Sequence, residues 1–319
     1  MSTLTVSNLQ SSGGGGVTAT LASVNGGAIA GTRSRVINGG MTVDQRNAGA
    51  SQTFTAAAAL AYAVDRWYGY CTGANVTGQR VAGVTAGQYR YQFTGTASVT
   101  AIGFGQRIEQ LNSTDLAGTT ATLSVDLANS VLTTVTWTAY YATTADTFGT
   151  LASPTRTQIA TGTFSVTSTV TRYSTNISVP AAATTGIEIV FTVGAQISGT
   201  WTIGNVQLEV GTVATPFERR SYGQELALCQ RYYFKDASNS VHVWSGKIDN
   251  GATYYATRLF PVTMRANPTC TVTSGGESLF TSARTVQTQS IDQVQWSATT
   301  GASAGNGYFL TGITASAEL

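Results

Sequence analysis

Histidine is the side chain most often asked to move a proton near neutral pH, and this sequence has one, His242, set between Val241 and Val243 in an alternating stretch. A lone imidazole there reads as structural. Zinc would need Cys and His clustered at short spacing, whereas Cys71, Cys229 and Cys270 stand far apart. Neither a nucleophile elbow, a phosphate loop nor a dinucleotide fingerprint occurs. Glycoside hydrolysis would need two carboxylates across one cleft, and spacing alone does not place Asp44 with Asp65, or Glu109 with Asp115, in that way. The expectation is no catalytic residue, no metal and no cofactor. Recognition is the chemistry left, because aromatic faces stack on sugar rings while hydroxyls and amides bond their polar edges. Trp244, Tyr254 and Tyr255 are the candidates for glycan or receptor contact, with Trp296 and Tyr308 in the same C-terminal part. Tyr254 and Tyr255 are adjacent, so a strand turns only one of them inward.

The elements that must position these residues are strands. Tyr89, Tyr91 and Phe93 alternate with Gln88, Arg90 and Gln92, and Val135, Trp137 and Ala139 alternate with threonines. This period of two marks half-buried strands. It predicts strands near 67–72, 75–82, 88–94, 97–109, 119–127, 132–142, 156–166, 171–179, 186–193 and 200–210. With no long helix between them, they imply antiparallel sheets packed face to face. Ala56 to Ala61 favours helix by propensity and reads as a short helical turn or a loop. Asp65 beside Arg66 and Trp67 reads as an ion pair that positions a core tryptophan.

Two periodicities meet between Gly204 and Phe234. Val206, Leu208 and Val210 continue the strand pattern, Thr215-Pro216-Phe217 turns the chain, and Tyr222, Leu226, Cys229 and Tyr233 recur as a helical stripe. Ser221 with Gln224 fits a capping box, so a short helix is predicted over about 222–232. Beyond it, Asp249-Asn250-Gly251 lies between alternating segments and predicts a hairpin. Strands near 269–273, 277–282, 285–290, 293–298 and 307–316 finish the chain. The reading is an all-β chain: an N-terminal arm over 1–35, rich in glycine; a jelly-roll-like antiparallel β-sandwich over 36–220; a linking helix over 221–234; and a smaller β domain over 235–319.

Composition narrows the partners. Only 10% of the 319 residues are charged, while 14 Tyr, 11 Phe and 5 Trp supply core material, the opposite of a disordered chain. The net charge of +2 is spread without a basic run, which excludes a phosphate-tracking surface and makes nucleic acid an unsuitable partner. Three scattered cysteines do not form a disulfide framework and suit a reducing compartment. No apolar run reaches a membrane span, and the first residues lack a signal peptide's charged and apolar regions. Membrane insertion and secretion by that route are not expected.

Three stretches resemble virion surface proteins of tailed bacteriophages. They are Gln207-Leu208-Glu209-Val210-Gly211 through Thr215-Pro216-Phe217-Glu218 to Cys229-Gln230-Arg231-Tyr232-Tyr233, Asn38 to Asn47 with Asp65-Arg66-Trp67, and Phe260-Pro261 to Asn267-Pro268. In that group such a junction closes a jelly-roll similar to carbohydrate-binding modules and leads into a distal β domain. The resemblance implies a non-enzymatic, fibre-like structural protein of the virion, folded in the host bacterial cytoplasm. It further implies a homotrimer held to other virion proteins of tail or capsid by the N-terminal arm, with its β domains facing a host surface glycan. A capsid decoration or cement protein is the alternative, and a tail-borne polysaccharide depolymerase a third.

Overall fold

The computed structural model describes residues 33–57, 59–236, 241–281, 283–301 and 303–319, preceded by the paired strands β1 (Ser23–Val24) and β2 (Gly27–Ala28); for 241–244 it describes the backbone only. Of the N-terminal arm, residues 1–22, 25–26 and 29–32 lie outside the described residues. In chain order the next strands are β3 (Gln52–Phe54), β4 (Ala61–Tyr62), β5 (Tyr68–Thr72), β6 (Val76–Ala82), β7 (Tyr89–Thr94) and β8 (Ala101–Ile108). Then come β9 (Thr120–Asn129), β10 (Thr134–Ala142), β11 (Arg156–Ser165), β12 (Thr171–Ser178), β13 (Ile187–Val193) and β14 (Thr200–Val210). They form two six-stranded sheets, ordered β11-β10-β13-β8-β5-β4 and β12-β9-β14-β7-β6-β3, with antiparallel ladders throughout. Neighbours such as β8 with β13 and β9 with β14 are far apart in sequence, giving a jelly-roll-like sandwich.

Alternation explains the interior. From β7, Tyr91 and Phe93 point inward; Phe104 of β8 stacks between Trp67 and Tyr91, each at 5.0 Å, and Phe93 stacks on Trp201 at 5.3 Å. Each large aromatic removes on the order of 150–250 Å² from water, so this cluster dominates the core. Trp67 also donates its indole N–H to the Asn38 carbonyl at 3.0 Å. Asp65 and Arg66 do not pair with each other, contrary to expectation. Arg66 binds Glu318, and Asp65 accepts from the Gln45 backbone at 2.6 Å. Among the described residues of the alanine run there is no helix, in keeping with the loop alternative: Ala57 takes a positive φ of 58°, and Ala56 bridges to Cys71.

β14 departs from simple alternation. Val206 and Leu208 are buried, but so are Gln207 and Glu209, while Val210 is 47% exposed. The loop after the strand folds back over its second face, where the Glu218 amide donates to Gln207 at 2.7 Å and the Thr215 amide to Glu209 at 2.9 Å.

Helix α1 (Tyr222–Gln230) begins where the capping signal put it, with the Gln224 amide donating to Ser221 Oγ at 3.4 Å. It is two residues shorter than expected, and its stripe differs. Tyr222 is 62% exposed, Cys229 packs with Ile37, Val43 and Tyr232, and Tyr233 belongs to the next strand. The final part comprises β15 (Tyr233–Lys235), β16 (Val241–Ile248), β17 (Thr253–Leu259), β18 (Thr269–Ser278), β19 (Thr285–Gln289), β20 (Gln293–Thr299) and β21 (Gly305–Ser316). β21 pairs β15 and β16 along one edge and β18 along the other, while β17-β20-β19 is a separate sheet. β16 and β17 are thus not a hairpin. The turn at Asp249-Asn250-Gly251 carries the chain between sheets, anchored by Thr300 Oγ1, which donates to the Asp249 carbonyl at 2.7 Å. The stretches 269–273 and 277–282 are not two strands either: β18 runs through Ser278, irregular between Ser274 and Gly276.

The chain's last residues tie this part to the sandwich. Glu318 lies between Arg46, at 3.0 Å, and Arg66, and the Leu319 carbonyl accepts from Arg107 at 2.8 Å and Tyr62 at 2.9 Å. Arg66 in turn stacks on Tyr232 at 3.5 Å, and Arg46 on Tyr233 at 3.6 Å.

Candidate glycan-binding cleft

The outer face of the β5-β8-β13-β10-β11 sheet is where polar and aromatic groups converge. Strand parity sends Tyr68, Tyr70 and Thr72 outward from β5 while Cys71 goes to the core. On β8, Gly105 lies opposite Tyr68 and Gly103 opposite Tyr70, and Arg107 follows on the same face, opposite Glu188 of β13. The glycines are what let the tyrosines lie down. A Cβ at Gly103 would stand 2.1 Å from Tyr70 Cζ, and one at Gly105 2.5 Å from the Tyr68 hydroxyl. Both rings therefore cross over β8 toward β13.

Tyr68 reaches Glu188 of β13 and donates to its Oε1 at 2.6 Å, an oxygen that also accepts from Arg107 Nε at 2.8 Å. The other carboxylate oxygen pairs with Arg156. Glu188 is completely buried beneath these partners. Arg107 spends its remaining nitrogens on the carbonyls of Leu319 and Gly149. Arg156 lies over the Tyr140 ring at 4.1 Å, a cation–π contact that fixes the plane of its guanidinium. Burial pushes the Tyr68 phenol well above its ordinary range, with the adjacent Glu188 charge adding to the effect. Burial also raises Tyr70, an effect that Arg156 opposes and Tyr140 reinforces. Both phenols are neutral hydrogen-bonding groups at physiological pH. For Arg156, burial works against the charge, but Glu188 prevails and raises its pKa.

Above this floor is a cleft of about 580 Å³. Tyr70, Cys71, Thr72 and Arg156 line it together with Ala57, Ala59, Thr150, Leu151 and Ala152. It combines one half-buried aromatic ring, hydroxyls, small apolar groups and a single cation. That size and mixture suit a few sugar units. A smaller hollow, about 240 Å³, lies on the outer face of the other sheet around Arg90, Gln92 and Thr202, and no aromatic ring lines it.

The aromatics singled out from the sequence are placed apart from this cleft. Tyr255 is 57% exposed on the β17-β20-β19 sheet, directly opposite Ser297, with Thr253 and Thr257 in line along its strand. Tyr254 turns inward and meets Phe280 edge-on at 5.7 Å; its hydroxyl accepts from the Asp249 amide at 3.0 Å. One of the adjacent pair thus faces the core, as parity requires. Trp244 lies in β16, its side chain outside the described residues, as is that of His242. Trp296 is wholly buried and Tyr308 is 38% exposed. Of the paired acids, Glu109 binds Arg231 and Asp115 binds Arg35. Among the described residues no group of three His, Cys, Asp or Glu could hold a metal.

Tyr70 escaped sequence reasoning. The signal that could have found it is Tyr-x-Tyr in one strand matched by Gly-x-Gly in another.

No protein-family model and no curated protein matches the chain. Solved structures that it is similar to include the enzymatically active domain of tailspike protein 4 from bacteriophage CBA120, at 18% identity and a TM-score of 0.33 over 56% of this chain. The match spans only 21% of that tailspike chain. A family 61 carbohydrate-binding module in complex with β-1,4-galactotriose matches at 12% identity and a TM-score of 0.36, over 56% of this chain and 100% of that one. A family 11 module from Clostridium thermocellum, bound to a β-1,3-1,4-mixed-linked tetrasaccharide, matches at 12% and 0.32, over 53% and 100%.

Proposed function

We propose that this chain is a non-enzymatic, fibre-like surface protein of a phage particle, held by its N-terminal arm, whose sandwich binds a host-surface saccharide in the cleft over Tyr70. The single observation that carries the binding reading is the ring of Tyr70 lying across Gly103 at the base of a cleft of about 580 Å³. A ring held flat by its neighbour's missing side chain offers a stacking platform at little entropic cost. What supports a non-enzymatic role is the fate of the one carboxylate beneath the cleft. Both oxygens of Glu188 are occupied by Arg107, Arg156 and Tyr68, so it is not free to act as an acid or nucleophile on a glycosidic bond. The virion setting and the trimer rest on the phage-like junction around 207–233.

The test is binding and turnover measured together. Capsular and lipopolysaccharide fractions from candidate hosts are titrated by calorimetry against the full chain and its Tyr70→Ala variant, and the same mixtures are assayed for new reducing ends. Binding that Tyr70→Ala abolishes, with no reducing ends released, is the expected result. Release of reducing ends would overturn the non-enzymatic reading, and binding indifferent to Tyr70→Ala would overturn the cleft. Sedimentation of the purified protein checks the trimer, and mass spectrometry of purified particles the virion setting.

A further inference from the structure

We infer that the saccharide this cleft takes is acidic, carrying a carboxylate that pairs with Arg156; the inference rests on the saccharide-binding reading above. Of the residues that line the cleft, Arg156 is the one with a charge, and no acid lines it. Beneath it, two guanidiniums share one carboxylate, since Glu188 serves both Arg107 and Arg156. Arg107 is 7% exposed and has its terminal nitrogens on the main-chain oxygens of Leu319 and Gly149, which leaves Arg156 as the guanidinium that reaches the cleft. Arg156 keeps 14% of its side chain exposed and, among the described residues, hydrogen-bonds only to Glu188 through Nη1.

Its guanidinium thus has N–H donors to spare, and stacking on Tyr140 at 4.1 Å sets their plane. A carboxylate accepts from such a planar fork in a matched geometry, with charge-assisted bonds stronger than neutral ones. A neutral sugar at the same place would strip water from the guanidinium and return only ordinary hydroxyl bonds. The cleft is consequently biased toward uronic or similarly acidic sugars, with Tyr70 under the ring and Arg156 on the carboxylate.

A panel of acidic bacterial polysaccharides, each in native form and after reduction of its carboxyls to alcohols, separates the two levels of the claim. The wild-type chain is expected to bind native forms tighter than reduced forms by roughly ten- to a hundredfold, a hydrogen bond to a charged group being worth about that much. Raising salt should shrink the gap. Arg156→Gln should erase the preference, Arg156→Lys should keep part of it, and Tyr70→Ala should weaken both forms. The wild-type comparison needs no variant to fold. Reduced forms bound as tightly as native ones, with binding still lost in Tyr70→Ala, would overturn the acidic assignment and leave the cleft standing. No binding to either form across the panel would overturn the saccharide reading and this inference with it.

Discussion

Replacing Glu188 by Gln should cost this protein more than any other single polar change in the sandwich. Glu188 is completely buried and accepts from Tyr68 at 2.6 Å, Arg107 Nε at 2.8 Å and Arg156. A carboxamide offers one acceptor oxygen where three donors converge and points its own N–H groups at guanidiniums. Arg107, 7% exposed, would be left without its counter-charge. Removing one partner of a buried ion pair costs about 3–5 kcal/mol, because the other charge stays buried and unpaired. For a domain of this size that lowers the melting temperature by roughly 6–20 °C. Urea unfolding followed by tryptophan fluorescence reads the change, since Trp67, Trp137 and Trp201 are all in the sandwich core. The same principle makes a second forecast: Glu188→Leu combined with Arg107→Met and Arg156→Met should recover most of the loss, to within about 1–2 kcal/mol of wild type. A Glu188→Gln variant within about 1 kcal/mol of wild type would refute the reasoning, and so would a triple variant less stable than the single one.

Four further outcomes are expected. Asp65 is buried, and burial raises its pKa from the ordinary 3.8 to about 6 against the hydrogen bonds from Gln45. The folded state therefore favours the protonated acid: its contribution is complete below pH 3.8 and fades as pH rises through about 6. Asp65→Asn should consequently gain up to about 3 kcal/mol relative to wild type between pH 4 and pH 7, read from urea midpoints across that range; a pH-independent difference would contradict it. Glu318→Gln should loosen the joint between the sandwich and the last β domain by about 2–4 kcal/mol, seen as faster hydrogen exchange at 313–317 and 232–235 while β9 and β14 stay protected. Gly103→Ala should push Tyr70 off the sheet and weaken saccharide binding roughly tenfold with little change in unfolding midpoint. Tyr255→Ala should leave that binding unchanged, because Tyr255 lies on a different sheet from the cleft; a loss equal to that of Tyr70→Ala would move the site to the distal face.

What could be read from the sequence was local. Period-two alternation located the ten longer sandwich strands, since each half-buried strand records its own two faces, as Tyr91 and Phe93 do against Arg90 and Gln92. The three-residue β3 and the two-residue β4 carry too few residues to record a period. Ser221 marked the helix start because capping is decided within four residues. Pairing was not legible in the same way. Asn250-Gly251 has the chemistry of a hairpin, yet β16 takes β21 and β17 takes β20 as partners, contacts 34 to 70 residues away. The cleft was hidden for the same reason. Tyr70 gains its place from Gly103, and Arg107 meets Glu188 across 81 residues. Arg66 finds Glu318 across 252 residues, which is why the neighbouring Asp65 looked like its partner. Adjacency guarantees one exposed ring in the Tyr254-Tyr255 pair, a true statement about Tyr255 that says nothing about a cleft.

The most direct test of a saccharide cleft over Tyr70 is a crystal structure of the full chain soaked with an oligosaccharide from a polysaccharide it binds in solution. The expected result is sugar density stacked on Tyr70 beside Ala57, Ala59 and Leu151, with an acidic group against Arg156. Density on the Tyr255 face, with the cleft holding only water, would contradict it.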